Sequence, residues 1–501
     1  MELLMTGLQA LASPVTLMWL VIGVVAGVIF GALPGVSATM AIVLCISFTY
    51  SMKPVVAIAF LSAVYCAAIT GGSITAILFK IPGTPSSAAT VLDGYPMVQR
   101  GEAGKALSIS LICSGLGGLA SAIIMFALTQ PLMRVALEFG SPEMFAVCCL
   151  GLTTLVFLDE KHKLNTFASA IIGLWLGTVG MDYFSSVPRF TFGASKLLDG
   201  VAALPFMLGL FAAVEIYNEV VKPRDMSAYS KDKQASISKL ASFKDIWELK
   251  WTTLRSGILG TVVGIMPGAG ATIASWLSYA VEAKFSKHPE KLGQGDPHGI
   301  SASETANNAA TGGAMVPLLA MGIPGSNAAA MMMTALAIHG VQMGPLLLKA
   351  QPEFLSATFL SMIFANIIMI FISLGIAKVF ATILKVPYYV LGTFIMMLAI
   401  TGCYAYQNSM ADVFIMVGGG IFGFFFKKYG FNPSALVLGL VLGPMVEKHF
   451  RRGMSMVHND IFAFMSSPIV IAVFIIIIAL FASLIIKQVR AAKAAKTGTA
   501  N

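Results

Sequence analysis

Long apolar runs, interrupted by glycine and proline and seldom by charge, dominate this sequence. Residues 15–50 and 55–79 contain no Asp, Glu, Lys or Arg, and residues 467–486 form a run of about 20 residues, long enough to cross a bilayer. Further apolar runs predict helices near residues 106–133, 142–158, 164–181, 202–221, 354–384, 387–405, 410–426 and 432–446. The pattern predicts an all-α polytopic integral membrane protein with about 10–12 transmembrane helices.

Some of these runs contain too much glycine and proline to be continuous helices. Two prolines and a glycine fall within residues 81–85, and Leu33-Pro34-Gly35 interrupts the run from 15 to 52. The sequence leaves open whether the two pieces of that run form two spans or one re-entrant hairpin. A break at membrane depth is tolerated where the chain is buried or lines a cavity, so broken or re-entrant segments mark candidate substrate sites.

Three motifs occur twice along the chain in the same order. The second copies are offset from the first by 233, 241 and 242 residues. The pairs are Gly27-x3-Gly31-x2-Pro34-Gly35 with Gly260-x3-Gly264-x2-Pro267-Gly268, Thr70-Gly71-Gly72 with Thr311-Gly312-Gly313, and Ile81-Pro82-Gly83 with Ile323-Pro324-Gly325. This internal duplication predicts that residues 27–97 and 260–345 superpose as the same helix-break-helix unit. An inverted repeat is our hypothesis for their relative orientation, because secondary transporters often contain one.

Polar segments divide the chain into four parts. They are a first membrane half (1–221), a linker (222–250), a second membrane half (251–486) and a basic tail (487–501). The linker holds seven Lys or Arg against four Asp or Glu, so the positive-inside rule places the linker and the tail in the cytoplasm. The same rule also predicts a cytoplasmic location for the basic clusters 427–428 and 448–452, although a single apolar run separates them. One of these two assignments is wrong, or that run is re-entrant.

Composition agrees with a membrane location. The 501 residues are 57% hydrophobic and 11% charged, with a mean hydropathy of +0.84, and one soluble core would not bury so much apolar surface. The net charge of +9 resides largely in loops and tail, which favours membrane orientation over nucleic-acid binding. The first fourteen residues contain Glu2 and no Lys or Arg, so we expect no cleavable signal peptide.

No pattern in the sequence indicates a catalytic or metal centre. The six cysteines lie in apolar runs without CxxC or histidine spacing, so we expect no zinc site, no disulfide framework and no cofactor. Residues 293–296 match the GxGD of intramembrane aspartyl proteases, but they lie in a charged loop, and no Tyr-Asp partner occurs in the chain. Gly104-Lys105 lacks the rest of a P-loop. The sequence therefore argues against an intramembrane enzyme.

The duplicated core offers neutral hydrogen-bond donors rather than basic side chains. Between Ser301 and Gly344 the ionisable side chains are Glu304 and His339. A half-helix that begins after a Pro-Gly break presents free N–H groups and the positive end of its dipole, which favour a carboxylate. The predicted substrate-binding residues are Gly72, Ser73, Pro82, Gly83, Thr84, Ser86, Ser87, Thr311, Gly312, Gly313, Pro324, Gly325, Ser326 and Asn327. The alternative is that the small residues only allow close helix packing.

Three residues are candidates for binding a coupling cation. Glu304 is an acid within a membrane segment, where a carboxyl group is costly and functional by default. Asn307 and Asn308 follow it, with Thr311 one helical turn after Asn307. Two alternatives stay open, namely interhelical hydrogen bonding for the asparagines and a solvated helix end for Glu304, which lies close to a polar loop.

Three further titratable residues adjoin the breaks. Lys80 directly precedes the first break, where it either offsets a carboxylate or extends to the membrane surface. Asp93 and His339 precede glycines at matching places in the duplication. We expect both to act at helix ends.

The ordered set of motifs resembles the large membrane subunit of the tripartite tricarboxylate transporter family. The resemblance is carried by residues 31–38, 71–97, 264–274 and 305–345, and length, hydropathy and duplicated halves agree from about residue 5 to 490. It implies a multi-pass protein of the bacterial inner membrane that imports citrate-like or other carboxylates with a sodium or proton gradient. It also implies a small four-helix membrane subunit and a periplasmic substrate-binding protein as partners. A channel or passive pore for small anions is the competing interpretation.

The cation excess of the linker and tail generates a topology prediction. Cysteines introduced at Ser236 and Thr499 should react with a membrane-impermeant thiol reagent only after the cytoplasmic side is exposed. The measurement is labelling in intact cells compared with inverted vesicles. Reaction at either position in intact cells would overturn the predicted orientation.

Overall fold

The computed structural model describes residues 2–33, 36–158, 162–214, 239–341, 343–383 and 388–496. Four features of the sequence prediction lie outside these residues. They are the Pro34-Gly35 break, the charged residues 159–161, the linker up to residue 238 and the tail beyond residue 496.

The described part of the chain is built almost entirely of helices. In the first half they are α1 Glu2–Leu11, α2 Pro14–Ala32, α3 Ala38–Ile46, α4 Pro54–Phe79, α5 Val91–Gln99, α6 Ala103–Ala136, α7 Ser141–Leu158, α8 Lys163–Leu176 and α9 Ala203–Met207. Later in the chain they are α10 Phe243–Glu248, α11 Lys250–Ile265, α12 Gly270–Phe285, α13 Pro297–Met321, α14 Asn327–Ile338, α15 Leu347–Ala350, α16 Pro352–Ile383, α17 Tyr388–Gln407, α18 Met410–Lys428, α19 Pro433–Met456, α20 Ile461–Phe464 and α21 Pro468–Lys496.

In the described residues, irregular and extended structure lies in the connections between helices, of which 177–202 is the longest. The strands β1 Gly180–Met181 and β2 Pro188–Arg189 pair antiparallel. Short 3₁₀ helices occur at Ser47–Thr49, Pro85–Ser87, Ser195–Leu197 and Pro289–Lys291, and a π-helix occurs at Leu208–Ala213.

Several helices have the length and composition of membrane spans. In the described residues these are Pro14–Ala32, Pro54–Phe79, Ala103–Ala136, Pro352–Gly375 and Met410–Lys428. Shorter apolar helices cover Ala38–Thr49, Asn327–Ile338 and Pro468–Ala482. These helices confirm an all-α polytopic membrane protein, whereas the number of 10–12 spans stays a prediction.

The two halves share a succession of elements. The order α2, α3, α4, break, α5, α6 in the first half matches α11, α12, α13, break, α14, α16 in the second. In both halves the first helix packs along the third through glycine. Gly31 of α2 lies against the Ala68 carbonyl of α4, and Gly264 of α11 lies against the Ala310 carbonyl of α13.

These contacts correct the register of the duplication. Gly71 lies against the Val28 carbonyl, and Gly313 lies against the Thr261 carbonyl. Gly313 therefore occupies the place of Gly71, so the pairing of Thr70-Gly71-Gly72 with Thr311-Gly312-Gly313 is one residue out. Matching identical letters misled the alignment, because packing requires a small residue at each place and not a particular one.

The hydrogen bonds of α6 give the directions of the two central helices. Thr70 and Ser73 of α4 bond Ser114 and Ser110 of α6 respectively, each at 2.7 Å, so α4 runs antiparallel to α6. Helix α6 also packs against α13, where Gly117 lies against the Thr305 carbonyl and Ser121 lies against Gly312. Helix α13 therefore runs parallel to α6. Opposite directions of α4 and α13 support the inverted repeat. Superposition of the two segments stays a prediction.

Helices α11 and α12 form a hairpin. Arg255, near the start of α11, forms an ion pair with Glu282, near the end of α12. Thr252 Oγ1 lies 2.9 Å from His298 Nδ1 at the start of α13. Since both ends of the hairpin meet the beginning of α13, the chain enters and leaves on one side, as a re-entrant segment does.

A group of polar contacts defines what we call the linker-side face. Asp245 of α10, at the described end of the linker, pairs with Lys105 at the start of α6 at 2.6 Å. The hydrogen bond from Lys105 lowers the pKa of Asp245 to about 2. On the same face, Arg100 donates to the Gln294 carbonyl in the connection between α12 and α13 at 2.8 Å.

The last helix points its end toward the linker-side face. Helix α7 begins beyond the far end of α6, and its later residues Gly151 and Thr154 contact Pro267 at the tip of the α11–α12 hairpin, so α7 runs back toward the linker-side face. Helix α21 lies parallel to α7, because Phe145 and Phe157 of α7 contact Phe474 and Phe481 in the same order. The tail therefore leaves toward the face that carries the linker, which supports placing both in one compartment.

The two basic clusters lie at opposite ends of α19. Lys427 and Lys428 precede this continuous helix of 24 residues, which is about 36 Å long, and 448–452 lie near its end. The length of this continuous helix argues against a cytoplasmic location for both clusters. Arg451 pairs with Asp182 at 2.8 Å and with Glu447 at 3.1 Å, which offsets the cation excess of the second cluster. The hydrogen bond from Arg451 also holds the pKa of Asp182 below its ordinary value.

Glycine contacts between α2 and α4 and between α11 and α13 generate a stability prediction. Gly31→Val and Gly264→Val each place side-chain atoms against a backbone carbonyl, so each should cost about 1–3 kcal/mol of unfolding free energy. Gly418→Val is the matched control, because a Cβ there meets nothing within 4 Å. Thermal unfolding of the purified variants checks this. Equal melting of all three would contradict the packing described above.

Candidate functional site

The first Ile-Pro-Gly break folds back onto α4. Lys80 ends the helix in a left-handed conformation (φ 59°), and the Gly83 N–H then donates to the Gly72 carbonyl at 3.1 Å. Thr84, Ser86 and Ser87 follow, and all three are buried. The break thus brings a set of hydroxyl groups onto one turn of α4.

The three hydroxyl groups form a compact cluster. Thr84 Oγ1 lies 3.0 Å from Ser86 Oγ and 3.2 Å from Ser87 Oγ. The cluster rests on Gly72, where a Cβ would come within 2.7 Å of Ser87 Oγ. Only a single 3₁₀ turn begins here, since α5 starts at Val91, so the first break does not open directly into an α-helix as we expected.

The second break does open directly into a helix. Gly322 ends α13 with φ 75°, and the Gly268 N–H donates to the Gly325 carbonyl at 3.0 Å. Ser326 then caps α14 by accepting from the Ala329 N–H at 3.1 Å. The remaining N–H groups in the first turn of α14 therefore point toward the break.

Asn327 is the first residue of α14 and ties it to another helix. Its amide Nδ2 donates to Ser434 Oγ at the start of α19, at 2.6 Å. Ser326 and Asn327 are half-buried, whereas Pro324 and Gly325 are buried. The polar groups of this break are thus the more accessible of the two sets.

Both breaks lie on one face of α4. Tyr65 Oη lies 3.0 Å from Ser326 Oγ at the second break, while Gly72 carries the hydroxyl cluster of the first. Gly72 lies seven residues after Tyr65, so both residues lie on the same face of α4, about 10 Å apart along the helix axis. Tyr65 was missed from the sequence, although a phenol in an uncharged run needs a hydrogen-bond partner and so signals a buried polar contact.

Four of the predicted substrate-binding residues lie between helices instead. Ser73 accepts from Ser110 of α6, and Thr311 Oγ1 lies 3.7 Å from Cys66 Sγ of α4. Gly312 packs on Ser121, and Gly313 packs on α11. Their contacts match the alternative of close helix packing.

Glu304 is fully buried, with 0% of its surface exposed. The expectation of a solvated helix end is therefore wrong, because α5 and the first break cover this turn of α13. Thr90 Oγ1 donates to Glu304 Oε1, and Asn307 Nδ2 donates to Oε2 at 3.4 Å. Thr90 Oγ1 also lies 3.0 Å from Ser303 Oγ.

Glu304, Thr90, Ser303 and Asn307 form a cluster, the Glu304 cluster, whose oxygen atoms are available to a cation. No ion pair in the described part of the chain involves Glu304. Asn307 Oδ1 is buried and has no hydrogen-bond partner among the described residues. Thr90 was missed from the sequence, where its signal was a hydroxyl three residues beyond Ser87.

Asn308 belongs to a different cluster. Its Nδ2 donates to Asn366 Oδ1 at 2.7 Å and to the Ser114 carbonyl at 2.9 Å. Asn366 in turn donates to the Met362 carbonyl and to Cys66 Sγ. These bonds join α4, α6, α13 and α16, which is the interhelical role that the sequence left open.

Lys80 does not reach the hydroxyl cluster. It is exposed, and its Nζ lies 5.6 Å above the ring of Tyr95. Within the described ranges, no three His, Cys, Asp or Glu side chains are grouped to hold a metal ion. The chemistry available at the breaks is hydrogen-bond donation from hydroxyl, amide and backbone N–H groups.

Broken helices around a buried carboxyl in an all-α membrane protein are typical of membrane transporters. The chain belongs to the tripartite tricarboxylate transporter TctA family, whose model matches residues 17–438. The resemblance found in the motifs is thereby confirmed.

Two similar proteins come from Agrobacterium vitis. One, called "Uncharacterized 52.8 kDa protein in TAR-I ttuC' 3'region", is 35% identical over 463 residues, which cover 92% of each chain. The other, called "Uncharacterized protein in TAR-II ttuC' 3'region", is 35% identical over 210 residues, 42% of this chain and 87% of that protein. No solved structure matches the chain.

Proposed function

We propose that this chain is the large transmembrane subunit of a binding-protein-dependent secondary transporter that imports citrate-like or other carboxylates. The observation that carries this proposal is the placement of both Ile-Pro-Gly breaks on one face of α4. The tripartite family supports two partners, a small four-helix membrane subunit and a periplasmic substrate-binding protein. The bacterial inner membrane is the corresponding location.

Carboxylate recognition at the breaks relies on neutral donors. Thr84, Ser86 and Ser87 supply hydroxyl groups at one end, and the N-terminus of α14 with Ser326 and Asn327 supplies N–H, hydroxyl and amide groups at the other. Charge-assisted hydrogen bonds of this kind are roughly twice as strong as neutral ones. Two donor groups separated by about 10 Å along α4 suit a ligand with more than one carboxylate.

Glu304 supplies the coupling to a cation gradient. A fully buried carboxyl without a cationic partner requires a proton or a bound cation. Glu304, Asn307 Oδ1, Thr90 and Ser303 together offer the oxygen ligands that sodium prefers. We assign coupling to this cluster and a scaffold role to Asn308.

Thr90 connects the cation cluster with the substrate cluster. It bonds Glu304 directly and lies three residues beyond Ser87 in the same segment. Occupation of Glu304 by a cation therefore shifts the segment that carries Thr84, Ser86 and Ser87. This contact gives the gradient a direct route to the substrate site.

Substitution at the second break tests the substrate site. Ser326→Ala or Asn327→Ala removes a hydrogen bond to a charged group, worth about 1.5–3 kcal/mol, so apparent affinity for the carboxylate should fall about ten- to hundred-fold. The measurement is the concentration dependence of carboxylate uptake with both partner subunits present.

The control is Ser467→Ala in the last apolar run, which should leave uptake kinetics unchanged. Since Ser326 also caps α14, each variant is first shown to be folded by its unfolding midpoint. Unchanged affinity in both folded variants would place the carboxylate elsewhere.

Thermal unfolding tests the cation cluster without any transport assay. A cation that binds the native state at about 100 times its Kd stabilises the protein by about 2.7 kcal/mol. We expect the midpoint of the wild type to rise with sodium, or as pH falls toward about 5, where Asp182 and Asp245 stay ionised, whereas Glu304→Gln loses most of both responses. Glu353→Gln, at an exposed carboxyl in the first turn of α16, is the control. A full response in Glu304→Gln would contradict coupling at Glu304.

A further inference from the structure

Asp93 is held in a backbone turn contributed by the other half of the protein. Its Oδ1 accepts the N–H groups of Gly293, Gly295 and Asp296 at 2.8, 2.9 and 2.8 Å. Its Oδ2 accepts from the Tyr279 hydroxyl at 2.8 Å. The carboxylate is fully buried and has four donors, all of them from the segment 279–296.

The turn is shaped for an anion. Gly293 and Gly295 have φ of 81° and 96°, which directs successive N–H groups to one point, as in other backbone anion sites. Gly299 leaves space, since a Cβ there would collide with the Asp93 carboxylate. Arg100 adds a second connection by donating to the carbonyls of Gln294 and Gly295. The protease-like GxGD motif is thus explained as a carboxylate clasp.

This clasp joins the mobile parts of the proposed mechanism. Asp93 lies in α5, which follows the first break, and Thr90 of the same segment bonds Glu304. The turn 293–296 lies at the linker-side face, between α12 and α13 of the second half. Releasing Asp93 would free the segment that carries both the hydroxyl cluster and the contact with the cation cluster.

The helix after the second break has no carboxylate at the place of Asp93, because the offset of 242 residues puts Ala335 there. Helix α14 follows the second break as α5 follows the first, and at its end His339 Nε2 lies 3.1 Å from Thr49 Oγ1 in the turn between α3 and α4. Among the described side chains, this single bond at the end of α14 contrasts with the four that Asp93 accepts in the first turn of α5. Because α4 and α13 run in opposite directions, the two connections lie toward opposite faces.

We propose that the Asp93 carboxylate and the 293–296 turn form a latch that closes the linker-side face and opens once in each transport cycle. This inference rests on the proposed function, since alternating access requires one face to open while the other closes. The unequal hydrogen bonding assigns the structure to a state that is shut at the linker side.

Matched cysteine reporters test the latch in the full-length chain. Ala89 and Ala335 are both buried, and each lies four residues before the residue of interest, Asp93 and His339 respectively. In reconstituted protein, Asp93→Asn should raise the rate of maleimide labelling at Ala89→Cys about tenfold or more, with no rise at Ala335→Cys. Tyr279→Phe, which removes one of the four donors, should give a smaller change in the same direction.

The control is Asp245→Asn, which removes another hydrogen-bonded carboxylate of the linker-side face without touching α5. Labelling in Asp93→Asn that is no faster than in this control would reduce Asp93 to a structural anchor. A rise at both reporters would indicate general loosening and would also overturn the latch. Labelling needs no transported substrate, so failure of the wild type to transport any carboxylate would refute the proposed function separately.

Discussion

Satisfaction of the backbone at the two Ile-Pro-Gly breaks is the constraint on which the rest of this structure depends. A helix that stops within a bilayer leaves N–H and C=O groups that lipid does not hydrogen-bond. Here Gly83 bonds Gly72 and Gly268 bonds Gly325, so each break folds back onto its own half. This explains the small residues of α2, α4, α11 and α13. Gly31 and Gly72 leave space for Gly83 of the first break, and Gly264 and Ala314 leave space for Gly325 of the second.

The same constraint explains a polar helix at the centre of the molecule. Helix α13 carries Glu304, Asn307 and Asn308 at positions that are fully buried. Asn308 is fixed by Asn366 and the Ser114 carbonyl, whereas Asn307 Oδ1 keeps an unused acceptor beside the Glu304 carboxyl. Helix α13 therefore holds a fixed interhelical contact at Asn308 and, one turn away, a site at Glu304 whose occupancy can change. That division suits a protein in which an ion must bind and leave while the scaffold persists.

Much of the design was predictable from the chain alone. Proline and glycine indicated the breaks, the repeated motifs predicted two related halves with the same order of elements, and Ser326 was identified as a polar residue at a helix start. These signals are local, since backbone geometry imposes them on neighbouring residues. The register error at Thr70-Gly71-Gly72 arose because packing needs a small side chain and tolerates several.

Contacts between distant residues were not predictable in the same way. Tyr65 meets Ser326 and Asp93 meets Gly293 only because two halves pack together, and no sequence period encodes such a meeting. Glu304 was assigned a solvated alternative from its distance to a loop, yet α5 covers it. The distance of a charged residue from a polar loop describes only its position in the sequence. Its burial depends on which other segments fold over it.

The most direct test of a gradient-driven carboxylate transporter is uptake of radiolabelled citrate and related carboxylates into proteoliposomes. The vesicles contain this chain, the small membrane subunit and the binding protein, with a sodium gradient, a proton gradient or neither. A gradient-driven transporter will give saturable accumulation above equilibrium with one of the gradients and none without. Non-saturating flux that stops at equilibrium and ignores both gradients would contradict it and indicate a passive pore.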